Sequence, residues 1–500
     1  MIIRNLQQHI RDGFNQLRSG SGHKTKAAQG SVWLGGGSIA VHGMRFLRNM
    51  ILVRLLAPEA FGVMAIVLAI NQTFETLTEI GIQTAIIQNP NGRERTYLNG
   101  AWWLAMARSV VLYTAAFLAA PWIAQLYGNP ELVPLMRIVF LGILFKGAMS
   151  SRVHVAVKEM NYRPWVIAQH GGGLFGIVAT ILLSLVIRNV WALVFGFVIE
   201  AIVRCLLSYL VCPFRPGLRF DKTHWQALFK YTRGIAGLPI LTFIFMRADI
   251  FVIGKFFSTA ELGLYSMAAA ISHIPFQLVG GILAPIMMPI FSEIQGNKNK
   301  INAYILKITR ITTLLGFPIL MFLALYGSQV LSLVYGIEYA KVAVPFAIIF
   351  ATSLLQVICV PVVTYYLAIG RPELHRFYAI VRTLLIMILI YPAVKYFGLV
   401  GAAAAGFVAM ASGSLLQAIR LRSLTQFDLR RYGIILCQAL AVSAVVAALW
   451  FVTQGFFESQ LGLNLLPGAI GCLMAYSLAA WLVLSHSNIM RRKEAADVLD

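Results

Sequence analysis

From Ser31 onward the chain alternates long apolar runs with short, polar and mostly basic connections. A helix that crosses a bilayer needs about 20 mostly apolar residues. Fourteen stretches meet that requirement, at roughly 31–56, 59–87, 98–124, 132–153, 165–187, 190–211, 233–257, 259–291, 304–325, 340–367, 375–395, 398–419, 433–454 and 464–486. The pattern predicts an all-α polytopic membrane protein of about 14 transmembrane helices. The second and eighth stretches exceed one bilayer thickness and are expected to tilt or to extend past it. Residues 1–30 are polar and basic and lack the layout of a cleavable signal peptide. Within them, Ile2, Ile3, Leu6, Ile10, Phe14 and Leu17 form a weak amphipathic pattern that suits a membrane surface as well as a solvated tail.

The distribution of Lys and Arg tests this topology. With the N-terminus inside, 28 of the 41 basic residues fall in segments assigned to the cytoplasm, 4 in outer loops (Arg188, Lys255, Lys341, Lys395) and 9 within spans. Basic residues concentrate in cytoplasmic loops, so the alternation supports an even number of spans with both termini cytoplasmic. The expected divisions are a tail at 1–30, an N-lobe at 31–212 (spans 1–6), a linker at 213–232, a C-lobe at 233–420 (spans 7–12), two further spans within 421–486, and a tail at 487–500. The linker carries FRPGLRF, and the amphipathic stretch DKTHWQALFKYTR that begins within it reads as an interfacial helix.

The halves carry an internal echo. Ala57-PEAFG and Ser258-TAELG align at an offset of about 201 residues, each preceded by an arginine-bearing span and followed by a long second span. Duplication on this scale is a common construction of secondary transporters. Because six spans separate the copies, they enter the membrane from the same side and are parallel repeats, with a site expected between them.

Composition narrows the class further. Apolar residues make up 59% of the chain and charged residues 12%, against about 25% charged in an ordinary globular protein, and the mean hydropathy is +0.76. Disorder is excluded for most of the length. The net charge of +22 is explained by topology, and with no basic domain outside the membrane no nucleic acid is expected as partner. The five cysteines lie in or beside apolar segments without metal-ligand spacing. There is no P-loop, no H-E-x-x-H, no G-x-S-x-G and no D-x-D. The chain therefore reads as a carrier rather than an enzyme, with no catalytic residues, no metal and no cofactor.

Charges at membrane depth are costly unless they face water or a partner. Nine cations lie within the spans, namely Arg45, Arg48, Arg54, Arg108, Arg137, Lys146, Arg204, Arg247 and Arg382, against four acids, Glu75, Glu79, Glu200 and Asp249. That excess points to a cationic, water-filled cavity that receives an anion. At 100° per residue, Ser38, His42, Arg45, Arg48 and Asn49 form one polar stripe on span 1, with Arg45 roughly 21 Å along the helix from Ser31. Asn71, Gln72, Glu75, Thr78 and Glu79 form a matching stripe on span 2. Arg45, Arg48, Lys146, Arg204 and Arg247 are the expected contacts for the anion, with His42, Arg108 and Arg382 as secondary positions. Glu75, Glu79, Glu200 and Asp249 are the expected gate or ion-coupling carboxylates, although Glu75 and Glu79 also suit a hydrated helix end or pairing with span 1 arginines. Glu200 and Arg204, at i,i+4, could simply neutralise each other. His170 and His273 lie at depth as structural residues or proton relays. Gly35-Gly36-Gly37, Gly171-Gly172-Gly173, Gly280-Gly281 and Pro275, Pro285 and Pro289 mark bends or close helix packing.

RFLRNMILVRLLAPEAFGVMA (45–65), ETLTEIGIQTAIIQNP (75–90) and DIFVIGKFFSTAELGLYSMA (249–268) resemble the corresponding segments of Wzx-type polysaccharide transporters, the O-antigen and exopolysaccharide flippases of the multidrug/oligosaccharidyl-lipid/polysaccharide exporter superfamily. The resemblance implies two six-helix lobes around a central cavity plus two C-terminal helices. It implies a flippase in the bacterial plasma membrane that carries an undecaprenyl-diphosphate-linked oligosaccharide from the cytoplasmic to the periplasmic leaflet by alternating access. It further implies H+ or Na+ coupling, contact with membrane lipids, and a polysaccharide polymerase and chain-length regulator as partners. A lipid II flippase, a multidrug exporter of the same superfamily, and a membrane-embedded polymerase or glycosyltransferase remain as alternatives. The basic cavity argues against a cation-drug exporter, and the short outer loops argue against an enzyme.

Overall fold

A computed structural model describes residues 23–77, 81–217, 238–453, 465 and 467–479. Every regular element among them is helical. The chain divides into two compact units, Met1–Gly263 and Leu264–Asp500.

The first unit holds α1 (His23–Leu55), α2 (Pro58–Leu77), α3 (Ile82–Gln88), α4 (Arg95–Tyr127), α5 (Leu132–Val139), α6 (Leu141–Gly147), α7 (Arg152–Lys158), α8 (Arg163–Val166), α9 (Gly172–Ile187), α10 (Val190–Val211) and α11 (Leu238–Phe256). The fourth apolar stretch is thus broken rather than straight, with a bend of 59° between Leu132–Gly147 and Arg152–Lys158. The fifth begins with α8, passes through a π-helical turn at Ile167–Gly171, and continues as α9. Such turns widen a helix by one residue and recur at functional sites.

α12 (Thr259–Ser272) starts in the first unit and continues into the second. The second unit continues with a π-helical turn at Phe276–Gly280, then α13 (Gly281–Ile294), α14 (Lys298–Tyr335), a short 3-10 turn at Ile337–Val342, α15 (Ala343–Ala368), α16 (Pro372–Thr425), α17 (Leu429–Thr453) and α18 (Pro467–Ala479). α15 is its axis, the most buried of the long apolar helices described, packed between α13, α14 and α16. At one end of it Phe291, Ile301, Tyr365, Tyr366, Tyr378, Leu421 and Phe427 share one core. Tyr366 closes that core by donating its hydroxyl to the Gln417 carbonyl at 3.1 Å. Leu314 of α14 packs with Ala439, Val442 and Val446 of α17 and with Ala475 and Ala479 of α18, so the last helices lean on α14. α16 joins the eleventh and twelfth predicted spans, and the break between them falls at Gly398, whose φ of 59° and ψ of −140° only glycine adopts at ease.

Among the described residues, eight helices, or nine with the bent pair, are long and apolar enough to cross a membrane. The described helices are consistent with fourteen passes. The second predicted span appears as α2 and α3, and the last only as α18. Residues 1–22, most of the 213–232 linker with its amphipathic stretch, Glu79 and the 487–500 tail lie outside the described residues.

The internal echo has a physical counterpart. α2 begins at Pro58 and α12 at Thr259, the positions aligned at the 201-residue offset. Ser258 and Glu261 form a capping box, in which the Glu261 carboxylate accepts from Ser258 N at 3.1 Å and the Ser258 hydroxyl accepts from Glu261 N at 3.2 Å. Gly62 and Gly263 then pack reciprocally. A methyl on Gly62 would collide with the Thr259 carbonyl, and one on Gly263 would collide with the Pro58 carbonyl. Backbone meets backbone there, so no side chain can move aside. Gly263→Val is expected to cost about 2 kcal/mol or more, read as a lowered thermal unfolding midpoint in detergent, whereas the same change at Gly406, where a Cβ meets nothing within 4 Å, leaves the midpoint nearly unmoved.

Candidate functional site

Three charged side chains of the first unit meet at α10. Glu200 and Arg204 stand one turn apart on that helix, and α1 brings Arg45 to the same point. A single oxygen, Glu200 Oε1, accepts from Arg45 Nη2 at 2.9 Å and from Arg204 Nη2 at 2.5 Å. The expected local i,i+4 pair therefore exists but is not self-contained, because the carboxylate also serves a residue 155 positions away.

Glycines make this approach possible. A Cβ on Gly172 would come within 2.8 Å of the Arg204 Cβ, and one on Gly176 within 2.5 Å of the Glu200 Cβ. α9 therefore lies directly against α10 and presses both charged side chains toward α1. Gly37 does the same on α1, where a Cβ would reach within 2.7 Å of the His170 ring in the π-helical turn. His42 and His170 both lie within Coulomb range of Arg45. The expected close packing at Gly171-Gly172-Gly173 is present at Gly172, and Gly176, which the sequence pattern does not single out, joins it as the floor beneath the charges. The signal was present as small residues at i,i+4, which lie on one helix face.

A second cluster adjoins the first. Glu75 of α2 accepts from Lys146 Nζ of α6 at 2.5 Å and from Asn71 Nδ2 at 3.3 Å. Arg108 of α4 donates to the Glu75 carbonyl at 2.7 Å, close to the end of α2, where helix carbonyls lose their internal donors. Glu75 also lies within Coulomb range of Arg204. Its partner is thus Lys146, and its pairing does not run to the span 1 arginines. Among the described residues, three cations, Arg45, Lys146 and Arg204, pair with the two carboxylates of these clusters, Glu75 and Glu200, while Arg108 serves a backbone carbonyl. The side chains of the carboxylates are 12% (Glu200) and 19% (Glu75) exposed, those of Arg204, Arg45 and Lys146 28%, 40% and 54%. The acids are the more buried partners.

The other predicted residues fall elsewhere. Arg48 donates through Nε and Nη2 to its neighbour Asn49 at 3.2 and 3.0 Å. Arg247 of α11 donates to Gln72 of α2 at 3.1 Å, which joins it to the polar stripe of α2. Asp249 accepts from the Ile250 amide at 2.8 Å. Arg137 lies over the Phe117 ring at 4.1 Å. Arg382, in the second unit, contacts Met410 Sδ at 3.8 Å. Arg310, at the start of the predicted span 304–325, lies within α14 and donates to Gln438 of α17 at 3.1 Å. No grouping of His, Cys, Asp and Glu suited to a metal ion occurs among the described residues.

A helical membrane protein with mid-span ion pairs is thereby defined, and its fold is that of a solved transporter. Its structure matches a lipid II flippase, MurJ, described in an inward closed conformation, with a TM-score of 0.73 at 13% identity, covering 91% of this chain and all of that one. The chain belongs to the polysaccharide biosynthesis protein family, whose sequence profile matches residues 51–344. It is similar to the succinoglycan biosynthesis transport protein ExoT of Rhizobium meliloti (strain 1021), at 24% identity over 68% of this chain and 69% of that protein. It is also similar to the lipopolysaccharide biosynthesis protein WzxC of Escherichia coli (strain K12), at 21% identity over 79% and 78%.

The Glu75–Lys146 pair yields a stability prediction. Removing either charge leaves the other uncompensated at depth, so Glu75→Gln or Lys146→Met alone is expected to cost about 1 kcal/mol after allowance for the exposure of Lys146. The double change costs less than the sum of the two, as a double-mutant cycle of thermal midpoints checks.

Proposed function

We propose that this protein is a flippase that moves undecaprenyl-diphosphate-linked oligosaccharide repeat units of an O-antigen, exopolysaccharide or capsule across the bacterial plasma membrane. Cargo enters from the cytoplasmic leaflet and leaves to the periplasmic one by alternating access, with both termini cytoplasmic and H+ or Na+ as coupling ion. The carrying observation is the surplus of cations over carboxylates on spanning helices, concentrated where Arg45 and Arg204 share Glu200. Membership of a polysaccharide biosynthesis family supplies the chemical class of cargo. A diphosphate is the anionic part of such a lipid, and charge-assisted hydrogen bonds from guanidinium groups suit its oxygens.

In this reading Arg45, Arg48, Lys146, Arg204 and Arg247 grip the diphosphate, and His42, Arg108 and Arg382 contribute at its margins. Glu75, Glu79, Glu200 and Asp249 gate the site or couple it to the ion. The lobes divide at the 213–232 linker, and a polymerase and a chain-length regulator receive the product. The protein performs no bond chemistry on its cargo.

The test is transport in proteoliposomes loaded with a polyprenyl-diphosphate oligosaccharide, followed by accessibility to an impermeant sugar-modifying enzyme, with and without a proton or sodium gradient. Protein-dependent appearance in the opposite leaflet is expected. Absence of movement, or movement of lipid II in preference, assigns another cargo, and chain extension reveals an enzyme. A hydrogen bond to a charged group is worth about 1.5–3 kcal/mol, so Arg45→Gln is expected to slow flipping roughly 10- to 100-fold. Arg48→Gln, whose guanidinium is engaged with Asn49, is expected to slow it less.

A further inference from the structure

The Arg45–Glu200–Arg204 cluster is an odd structural ion pair. A pair that serves stability alone saturates its donors, because an unsatisfied buried N–H costs free energy. Here Arg45 Nε, Arg204 Nε and His170 Nε2 are all buried without a hydrogen-bond partner among the described residues. Both guanidinium groups instead spend their bond on the same oxygen, which leaves the pair one unit positive and short of acceptors. Beside them Gly173 leaves space. A Cβ there would stand 3.8 Å from Glu200 Oε1 and 4.0 Å from Arg45 Nη2, ordinary contact distances, so the notch is open to a group of about methyl size.

We infer that Glu200 is a resident counter-anion that occupies the place of a diphosphate oxygen, and that the diphosphate of the cargo displaces it. The inference rests on the reading of the protein as a diphosphate-lipid flippase and adds to it the step that makes the carrier cyclic. Two arginines with no counter-charge are costly at membrane depth, so an empty site must be neutralised before the carrier can reorient. Glu200 does this on the return stroke, and the diphosphate does it on the loaded stroke. The diphosphate brings more oxygens than one carboxylate offers, and these meet the unpartnered Nε donors of Arg45 and Arg204. Gly176 under the Glu200 Cβ and Gly172 under the Arg204 Cβ hold the two side chains at the spacing that one shared oxygen requires.

The experiment uses the full chain in nanodiscs, with inorganic pyrophosphate as the probe for affinity, and the same variants in the vesicle assay for turnover. Glu200→Gln is expected to bind pyrophosphate at least tenfold more tightly than the native protein, because the competitor has lost its charge, while steady-state flipping falls at least tenfold and a single-turnover burst survives. Arg45→Gln and Arg204→Gln are expected to lose pyrophosphate binding. Glu200→Asp, which keeps the charge but withdraws it by one methylene, is expected to bind with intermediate affinity and restore part of the turnover, and it serves if Glu200→Gln does not assemble. Unchanged or weakened pyrophosphate affinity in both Glu200 variants overturns the inference, as does binding insensitive to Arg45 and Arg204. The two failures separate cleanly. Vesicles in which the native protein moves no lipid-linked oligosaccharide refute the cargo and leave the pyrophosphate competition standing, whereas normal flipping with no competition refutes the counter-anion alone.

Discussion

The carboxylate of Glu200, shared by two guanidinium groups, is the constraint on which the first unit is organised. Arg45 and Arg204 reside on helices that are distant in sequence, and without a common anion neither could lie at depth beside the other. The shared oxygen fixes the rotation of α1 relative to α10, since turning either helix by one residue would carry its charge about 100° away. It also fixes the approach of α9. That helix must lie close enough to confine the Glu200 side chain, and only glycine at 172 and 176 permits it. The glycine run, the π-helical turn that carries His170 and the polar stripe of α1 are parts of one packing solution to one electrostatic problem.

A second use of charge runs through the unit. Arg108 on the Glu75 carbonyl, Lys158 on the carbonyls of Ile86, Asn89 and Pro90, and Lys255 on the Leu126 carbonyl all place a cation at the C-terminal end of a helix. Those ends carry the negative pole of the helix dipole and carbonyls without internal donors. Short or broken helices such as α3 and the α5–α7 series create more such ends than straight spans would. Part of the basic excess thus serves backbone carbonyls, and only the remainder, led by Arg45 and Arg204, is arranged around carboxylates with donors to spare.

The apolar runs made the helical architecture legible, because a hydrocarbon solvent enforces length and composition on any segment that crosses it. The break at Gly398 and the reciprocal Gly62 and Gly263 contact were foreshadowed by the run boundaries and by the 201-residue echo. Pairing was legible only in part. Helix periodicity put Arg45 on a stripe and Glu200 one turn from Arg204, but periodicity describes one helix at a time. Which stripes face each other depends on packing between helices far apart in sequence, so Lys146 as the partner of Glu75, and Gln72 as the partner of Arg247, could not be read in advance. Arg310 shows the same limit, since the sequence placed it at the start of a predicted span but gave no sign that it would meet Gln438 of α17.

The exposure gradient within the ion pairs gives the arrangement a direction. Long basic side chains keep their heads toward water, and the base is the more exposed partner in the outlying pairs Arg93–Glu159 and Arg431–Asp428 as well. Here too Glu200 and Glu75 are the more buried partners and Arg45, Arg204 and Lys146 the more accessible ones. An anion that approaches such a surface meets cations first, and the carboxylates behind them tune the attraction without blocking it. For the flippase proposed above such a balance is needed, since a site of bare arginines would hold a diphosphate too tightly to release it and a fully neutralised site would not capture it.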